Sequence, residues 1–166
     1  MTLDSADARP LLLVDVDGVL NPWLAPQCPD GFREYSFFPG ERVLLSEGHG
    51  ALLRDLASSF ELVWATAWEH KANRLICPVI ALPELPVIEF PLTGTDYRFR
   101  KLPAVIDSVG DRPCAWIDDE HQPDHYHWAR QRGVPTLLID IDPAEGLTRR
   151  VAEQLAEWAA ALGGGN

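Results

Sequence analysis

The sequence predicts an α/β fold: a parallel sheet with helices on both faces. Two observations carry this. Short apolar runs alternate with helical stretches along the chain, the pattern of parallel strands joined by right-handed crossovers. The runs are also apolar on consecutive positions rather than alternate ones, as strands covered on both faces must be.

Taken in order, Leu11-Leu-Leu-Val-Asp-Val16 reads as the first buried strand. Residues 18–40 hold Pro22, Pro26, Pro29, Pro39, Gly31 and Gly40 among Trp23, Phe32, Tyr35, Phe37 and Phe38. Prolines at this density exclude a helix and predict a structured loop or short hairpin. Leu52, Leu53 and Leu56 give residues 49–58 helical spacing, and residues 60–65 form the next strand. A helix over about 68–76 stops before Pro78. Residues 87–90 read as a third strand between Pro86 and Pro91, 101–109 as a helix and 114–117 as a fourth strand. A helix over 124–132 ends at Gly133, and 136–139 is the fifth strand. Thr148 is the N-cap of a last helix whose Val151, Leu155, Trp158, Ala159 and Leu162 share a face, closed by Gly163 to Gly165. No repeat or long linker divides the chain, so one domain over 1–166, with its core over about 10–162, is expected.

A chain of 166 residues and 18.5 kDa is long enough to bury a sizeable core. Its 14 Lys and Arg against 25 Asp and Glu give a formal net charge of −11. That balance disfavours nucleic acid and anionic membrane surfaces, which need clustered cations. No run approaches the about 20 apolar residues of a membrane span. Residues 1–9 lack the basic start and apolar middle of a secretory leader. Three cysteines, Cys28, Cys77 and Cys114, are an odd number without metal-type spacing. A reducing, cytoplasmic setting is the expectation.

In a sheet of this kind ligands sit beyond the carboxyl ends of the strands. Asp15-Val16-Asp17-Gly18 follows the first strand. Two carboxylates one residue apart are costly there unless paired or bound to a cation, and Gly18 lets the chain turn so that its amides face an anion. Thr66 after the second strand reads either as an N-cap or as a hydroxyl for a phosphate oxygen. Asp118 and Asp119 after the fourth strand are oxygen donors suited to Mg²⁺. Lys101 opens the helix leading into that strand, with Lys71 and Arg100 as rivals for a cationic role. Four carboxylates against one lysine at one rim would repel strongly, so a divalent cation is expected with them.

These motifs, VDVDGVL, VWATAW, RKLPAV and WIDDE in that order, resemble those of the haloacid dehalogenase-like superfamily over roughly residues 11–140. The resemblance implies a Rossmann-like sheet of five parallel strands in the order 5-4-1-2-3. It implies a Mg²⁺-dependent phosphomonoester hydrolase. Asp15 would be the nucleophile forming an aspartyl-phosphate and Asp17 the general acid and base. Thr66 would hold a phosphoryl oxygen and Lys101 would offset charge. Asp118 would bind Mg²⁺ with Asp15 and the backbone carbonyl of Asp17, and Asp119 would orient a metal-bound water or Lys101. Only about 25 residues separate Gly18 from the next helix and the 91–100 segment is short, so no large cap domain is expected.

Such an open site suits a phosphorylated small molecule or macromolecule, or is covered by a second subunit. Residues 20–40 are the internal candidate for a flap, with Trp23, Phe32 and Tyr35 placed either to stack on a ring or to cover the core edge. Gly18, Asn21, Ala67, Trp68 and Glu69 are the candidate substrate contacts. Asn73, four residues after Glu69, is a further candidate, and His121, His125 and His127 read as surface histidines rather than a zinc site. Two other functional readings stay open. One is a phosphotransferase or nucleic-acid end-repair phosphatase. The other is a non-catalytic metal- or partner-binding domain on the same fold.

Overall fold

The computed structural model describes residues 9–90 and 101–164. Arg100, the 91–100 segment, residues 1–8 of the stretch expected to hold no secretory leader, and the helix end at Gly165 all lie outside them.

Four strands form a parallel sheet: β1 (Leu11–Val14), β4 (Glu61–Trp64), β5 (Cys114–Asp118) and β6 (Thr136–Asp140), in the order β4-β1-β5-β6. β1 is central, pairing Leu11 with Glu61 on one side and with Cys114 on the other. A separate antiparallel pair, β2 (Arg33–Tyr35) and β3 (Val43–Leu45), sets Arg33 opposite Leu45 and Tyr35 opposite Val43. The short hairpin expected from the proline-rich stretch is therefore present, its return strand lying beyond residue 40.

The helices are α1 (Glu47–Leu56), α2 (Cys77–Ile80), α3 (Lys101–Val109), α4 (Pro123–Gln131) and α5 (Arg149–Gly163). Successive β1 side chains point to opposite faces. Leu12 and Val14 join a core with Leu53 and Leu56 of α1 and Leu155 and Ala159 of α5. Leu11 and Leu13 pack with Val105 and Val109 of α3. Both faces are thus covered, as the unbroken apolar runs require. The Thr148 hydroxyl accepts from the Val151 amide at 3.3 Å and caps α5, and Gly133 follows α4 at φ +67°.

Two expectations are corrected. Residues 87–90 do not form a strand. Val87 makes only an isolated parallel bridge to Trp64, in which the Trp64 amide donates to Pro86 O and the Ile88 amide to Trp64 O, both at 2.9 Å. Pro86 has no amide to extend the ladder, and the Phe90 amide turns to the Glu69 carboxylate instead, at 2.9 Å. The five-strand order thus reduces to four strands and a bridge.

The helix expected to stop before Pro78 runs through it. A π-helical segment, Ala72–Ile76, leads directly into α2. The Cys77 amide bonds to Ala72 O, five residues back, and this wider turn leaves Pro78 in the first turn of α2, where a missing N–H does no harm.

Candidate active site

Because the four strands are parallel, their carboxyl ends share one edge, and the residues that follow them meet there. Asp15 follows β1, Asp118 ends β5, and Lys101 opens α3. The Lys101 ammonium donates to Asp15 Oδ2 at 2.9 Å and to Asp118 Oδ2 at 2.6 Å. All three are buried, at 6%, 6% and 2% exposure for Asp15, Lys101 and Asp118. Backbone amides complete the shell: Val16 N donates to Asp15 Oδ1 at 2.7 Å and Glu120 N to Asp118 Oδ1 at 3.0 Å. Of the cations weighed from sequence, Lys101 faces the acids, while Lys71 lies over the Phe38 ring, 5.3 Å from its centroid.

One ammonium cannot neutralise both carboxylates. Burial pushes the Asp15 carboxyl up to about 7; Lys101 opposes this and the neighbouring Asp118 charge adds to it. Burial also acts to raise Asp118, but its shorter contact with Lys101 outweighs that and holds it below the usual range. Asp119 is pushed up to about 6, by burial first, against the pull of its hydrogen bond from Trp23. Burial is the main cause of both upward shifts, with the like charge of Asp118 adding to it.

Asp15, Asp118 and Asp119 each offer a carboxylate oxygen, and these oxygens lie within 4.8 Å of one another. Hard oxygen donors with surplus negative charge fit Mg²⁺, so the residues present suit the cation expected from sequence. The Asp17 side chain is not in this group; its expected contribution is a backbone carbonyl. Its carboxylate is instead held at both oxygens, with Asn21 Nδ2 donating to Oδ1 at 2.8 Å and Trp68 Nε1 to Oδ2 at 2.9 Å. Gly18, at φ +80°, lets the chain pass so close to Asp119 that a Cβ there would lie 2.2 Å from Asp119 Cγ.

The expected substrate contacts divide. Ala67 lines two adjoining recesses. The inner one, about 240 Å³, contains Asp15, Asp17, Lys101, Asp118 and Asp119. The outer one, about 430 Å³, contains Asn21, Phe38, Trp68 and Lys71. Asp17, Trp23 and Ala67 line both. Asn21 is buried, and its amide oxygen accepts from the Leu44 amide at 2.9 Å, so the side chain acts between Asp17 and β3. Glu69 lines neither recess and accepts the Phe90 amide. Thr66 is fully buried, and its Oγ1 accepts the Trp68 amide at 3.3 Å within the turn that follows β4; the helical segment beyond has Lys71, not Thr66, at its N-cap. Asn73 accepts from Trp64 Nε1 and bonds Leu85 at both its amide and its carbonyl, a structural tie.

Sequence reasoning missed three contacts. Trp68 holds Asp17 rather than facing only a substrate, Trp23 Nε1 donates to Asp119 Oδ2 at 3.3 Å, and Phe38 walls the outer recess. Phe32 and Tyr35, candidates for stacking, pack instead against His49 and Phe37. A buried indole usually finds a partner for its N–H, and that was the signal available for Trp68.

No protein-family model matches this chain, and no curated protein matches it. Among the described residues, no helix is long and apolar enough to cross a membrane.

Proposed function

We propose that this protein is a Mg²⁺-dependent phosphomonoester hydrolase of the capless haloacid dehalogenase-like kind, with Asp15 as nucleophile. In this reading the Val87 bridge beside β4 marks the place of the third strand in the order 5-4-1-2-3. The observation that carries the proposal is the Lys101 ammonium clasped between Asp15 and Asp118, with Asp119 beside them and the Asp17 carboxylate held by two donors. A structural ion pair needs one carboxylate; this edge assembles four.

A carboxylate oxygen of Asp15 attacks phosphorus, and the bond from phosphorus to the leaving oxygen breaks in line. Asp17 gives its proton to that oxygen. Asp17 then takes a proton from water, the water oxygen attacks phosphorus, and the bond to Asp15 breaks. Inorganic phosphate leaves and Asp15 is restored. Lys101 holds Asp15 in place and stabilises negative charge on the transferring group. Asp15, Asp118 and Asp119 would hold Mg²⁺, which would supply positive charge to keep Asp15 ionised and to offset the phosphate dianion. The Gly18 amide is committed within the turn after Asp17, where it donates to Asn21 O at 2.8 Å.

The three cysteines are unpaired, and burial pushes the Cys77 and Cys114 thiols up to about 11. Thiols held protonated fit the reducing cytoplasm in which we place the protein.

Asp15→Asn keeps the shape of the side chain and removes its nucleophilicity. Phosphate release from an aryl phosphate with Mg²⁺ should fall by at least about a thousandfold, with the unfolding midpoint preserved, and chelation should silence the wild type. Full activity of the variant would overturn the mechanism. Absence of turnover by the wild type on a broad phosphomonoester panel would favour the non-catalytic alternative.

A further inference from the structure

We propose that the outer recess is the leaving-group site, built for phosphomonoesters of alcohols that carry a planar aromatic ring. This inference rests on the hydrolase reading and adds the substrate class to it.

The position comes first. The two recesses share Asp17, Trp23 and Ala67 as a common wall. A phosphoryl group seated against Asp15 has its leaving oxygen toward Asp17, the proton donor, and what is attached to that oxygen extends into the outer recess. The space of about 430 Å³ accommodates a ring system rather than a long chain.

The lining decides the chemistry. Trp23, Phe38 and Trp68 present three aromatic side chains to it. Trp23 is 51% exposed, unusual for so large an apolar group, yet its indole is pinned by the hydrogen bond to Asp119. Trp68 is fixed by its bond to Asp17 and by tilted packing against Phe38, with centroids 5.8 Å apart. Rigid rings need little further ordering when a ligand ring joins them. A sugar or polyol would need hydrogen-bonding groups that are not already committed. The Asn21 amide is engaged with Asp17 and Leu44, and the Arg42 guanidinium with Glu34 and the Ala25 carbonyl. Glu41 and Lys71 also line the recess, the Lys71 ammonium 5.3 Å from the Phe38 ring centroid, so the recess offers flat π-surfaces alongside charged groups.

Benzyl phosphate and cyclohexylmethyl phosphate test this, because both are unactivated primary alkyl esters and the saturated ring is the more hydrophobic. The wild type with Mg²⁺ should turn over the benzyl ester with a kcat/KM about tenfold higher. Phe38→Leu, which keeps bulk and apolarity but removes the π-face, should cut that ratio to about threefold or less. Calorimetric titration of benzylphosphonate and cyclohexylmethylphosphonate should show the same order in Kd. Equal handling of the two rings, a preference for cyclohexyl, or an unchanged ratio in Phe38→Leu would overturn the proposal. So would failure of both phosphonates to bind. Discriminating binding without turnover of either ester would sink the hydrolase reading and leave the aromatic site standing.

Discussion

Replacing Lys101 by Met keeps the length of the side chain and removes the charge between Asp15 and Asp118. At an effective dielectric of about 20, charges at the observed 2.9 and 2.6 Å attract by about 6 kcal/mol each. Desolvation of the ammonium and repulsion between the acids offset much of that. Breaking a buried pair by removing one partner costs about 3–5 kcal/mol, a large share of a total stability of about 5–15 kcal/mol. With a urea m-value of about 1–3 kcal/mol/M, the midpoint should fall by at least about 1 M at pH 7.5 in metal-free buffer. The sign of the pH dependence follows from Asp15. Its folded pKa already stands at about 7, above the unfolded value, and rises further without Lys101. A raised acid leaves stability intact below its unfolded pKa and loses it as pH climbs through the folded value. The deficit of Lys101→Met should therefore shrink at pH 5. Adding Asp118→Asn should recover part of it, with a coupling energy of about 1–3 kcal/mol in the double-mutant cycle. A loss under about 1 kcal/mol that ignores pH, or coupling under about 0.5 kcal/mol, would refute the reasoning.

Two further predictions concern the loops around the site. Gly18→Ala places a Cβ 2.2 Å from Asp119 Cγ at φ +80°. It should lower stability by about 1–3 kcal/mol and weaken Mg²⁺ binding, both read by thermal melts with and without the cation; a melt indistinguishable from wild type would contradict the close approach. His49 is buried, with Nδ1 3.2 Å from Leu20 O and Nε2 2.8 Å from Leu147 O. Burial lowers its pKa against the pull of both carbonyls. Its contribution is thus present above the unfolded value near 6.5 and lost as pH falls through the folded one. His49→Ala should cost about 2–4 kcal/mol at pH 7.5, with the gap to wild type narrowing by pH 5.5 in urea melts. A widening gap would mean that an imidazolium donates to both carbonyls.

The readable parts of the chain were those governed by local pattern. The apolar runs became β1, β4, β5 and β6, and their parallel packing brings Asp15, Lys101 and Asp118 together although Lys101 is 86 residues from Asp15. Strand-end position alone was enough for that. Contacts set by loop paths were not readable. The bonds from Trp68 to Asp17 and from Trp23 to Asp119 depend on how residues 18–45 fold back, and no periodicity encodes that. The strand expected over 87–90 read well on composition, yet the Glu69 carboxylate takes the amide that its ladder needed. Pro78 predicts a helix stop because a proline inside an α-helix usually is one; the π-helical turn before it changes which amide has to be present.

Asn21 has a consequence beyond its own hydrogen bonds. One end of its amide holds Asp17 and the other receives the Leu44 amide of β3, so a single side chain knots the peripheral hairpin to the reactive edge. An insertion or deletion that slid β3 by one residue would withdraw a donor from Asp17 in the same stroke. Variation between residues 22 and 42 leaves that knot intact where it spares Trp23, which holds Asp119, and β2, which pairs with β3. There the outer wall can be rewritten while the acids remain in register.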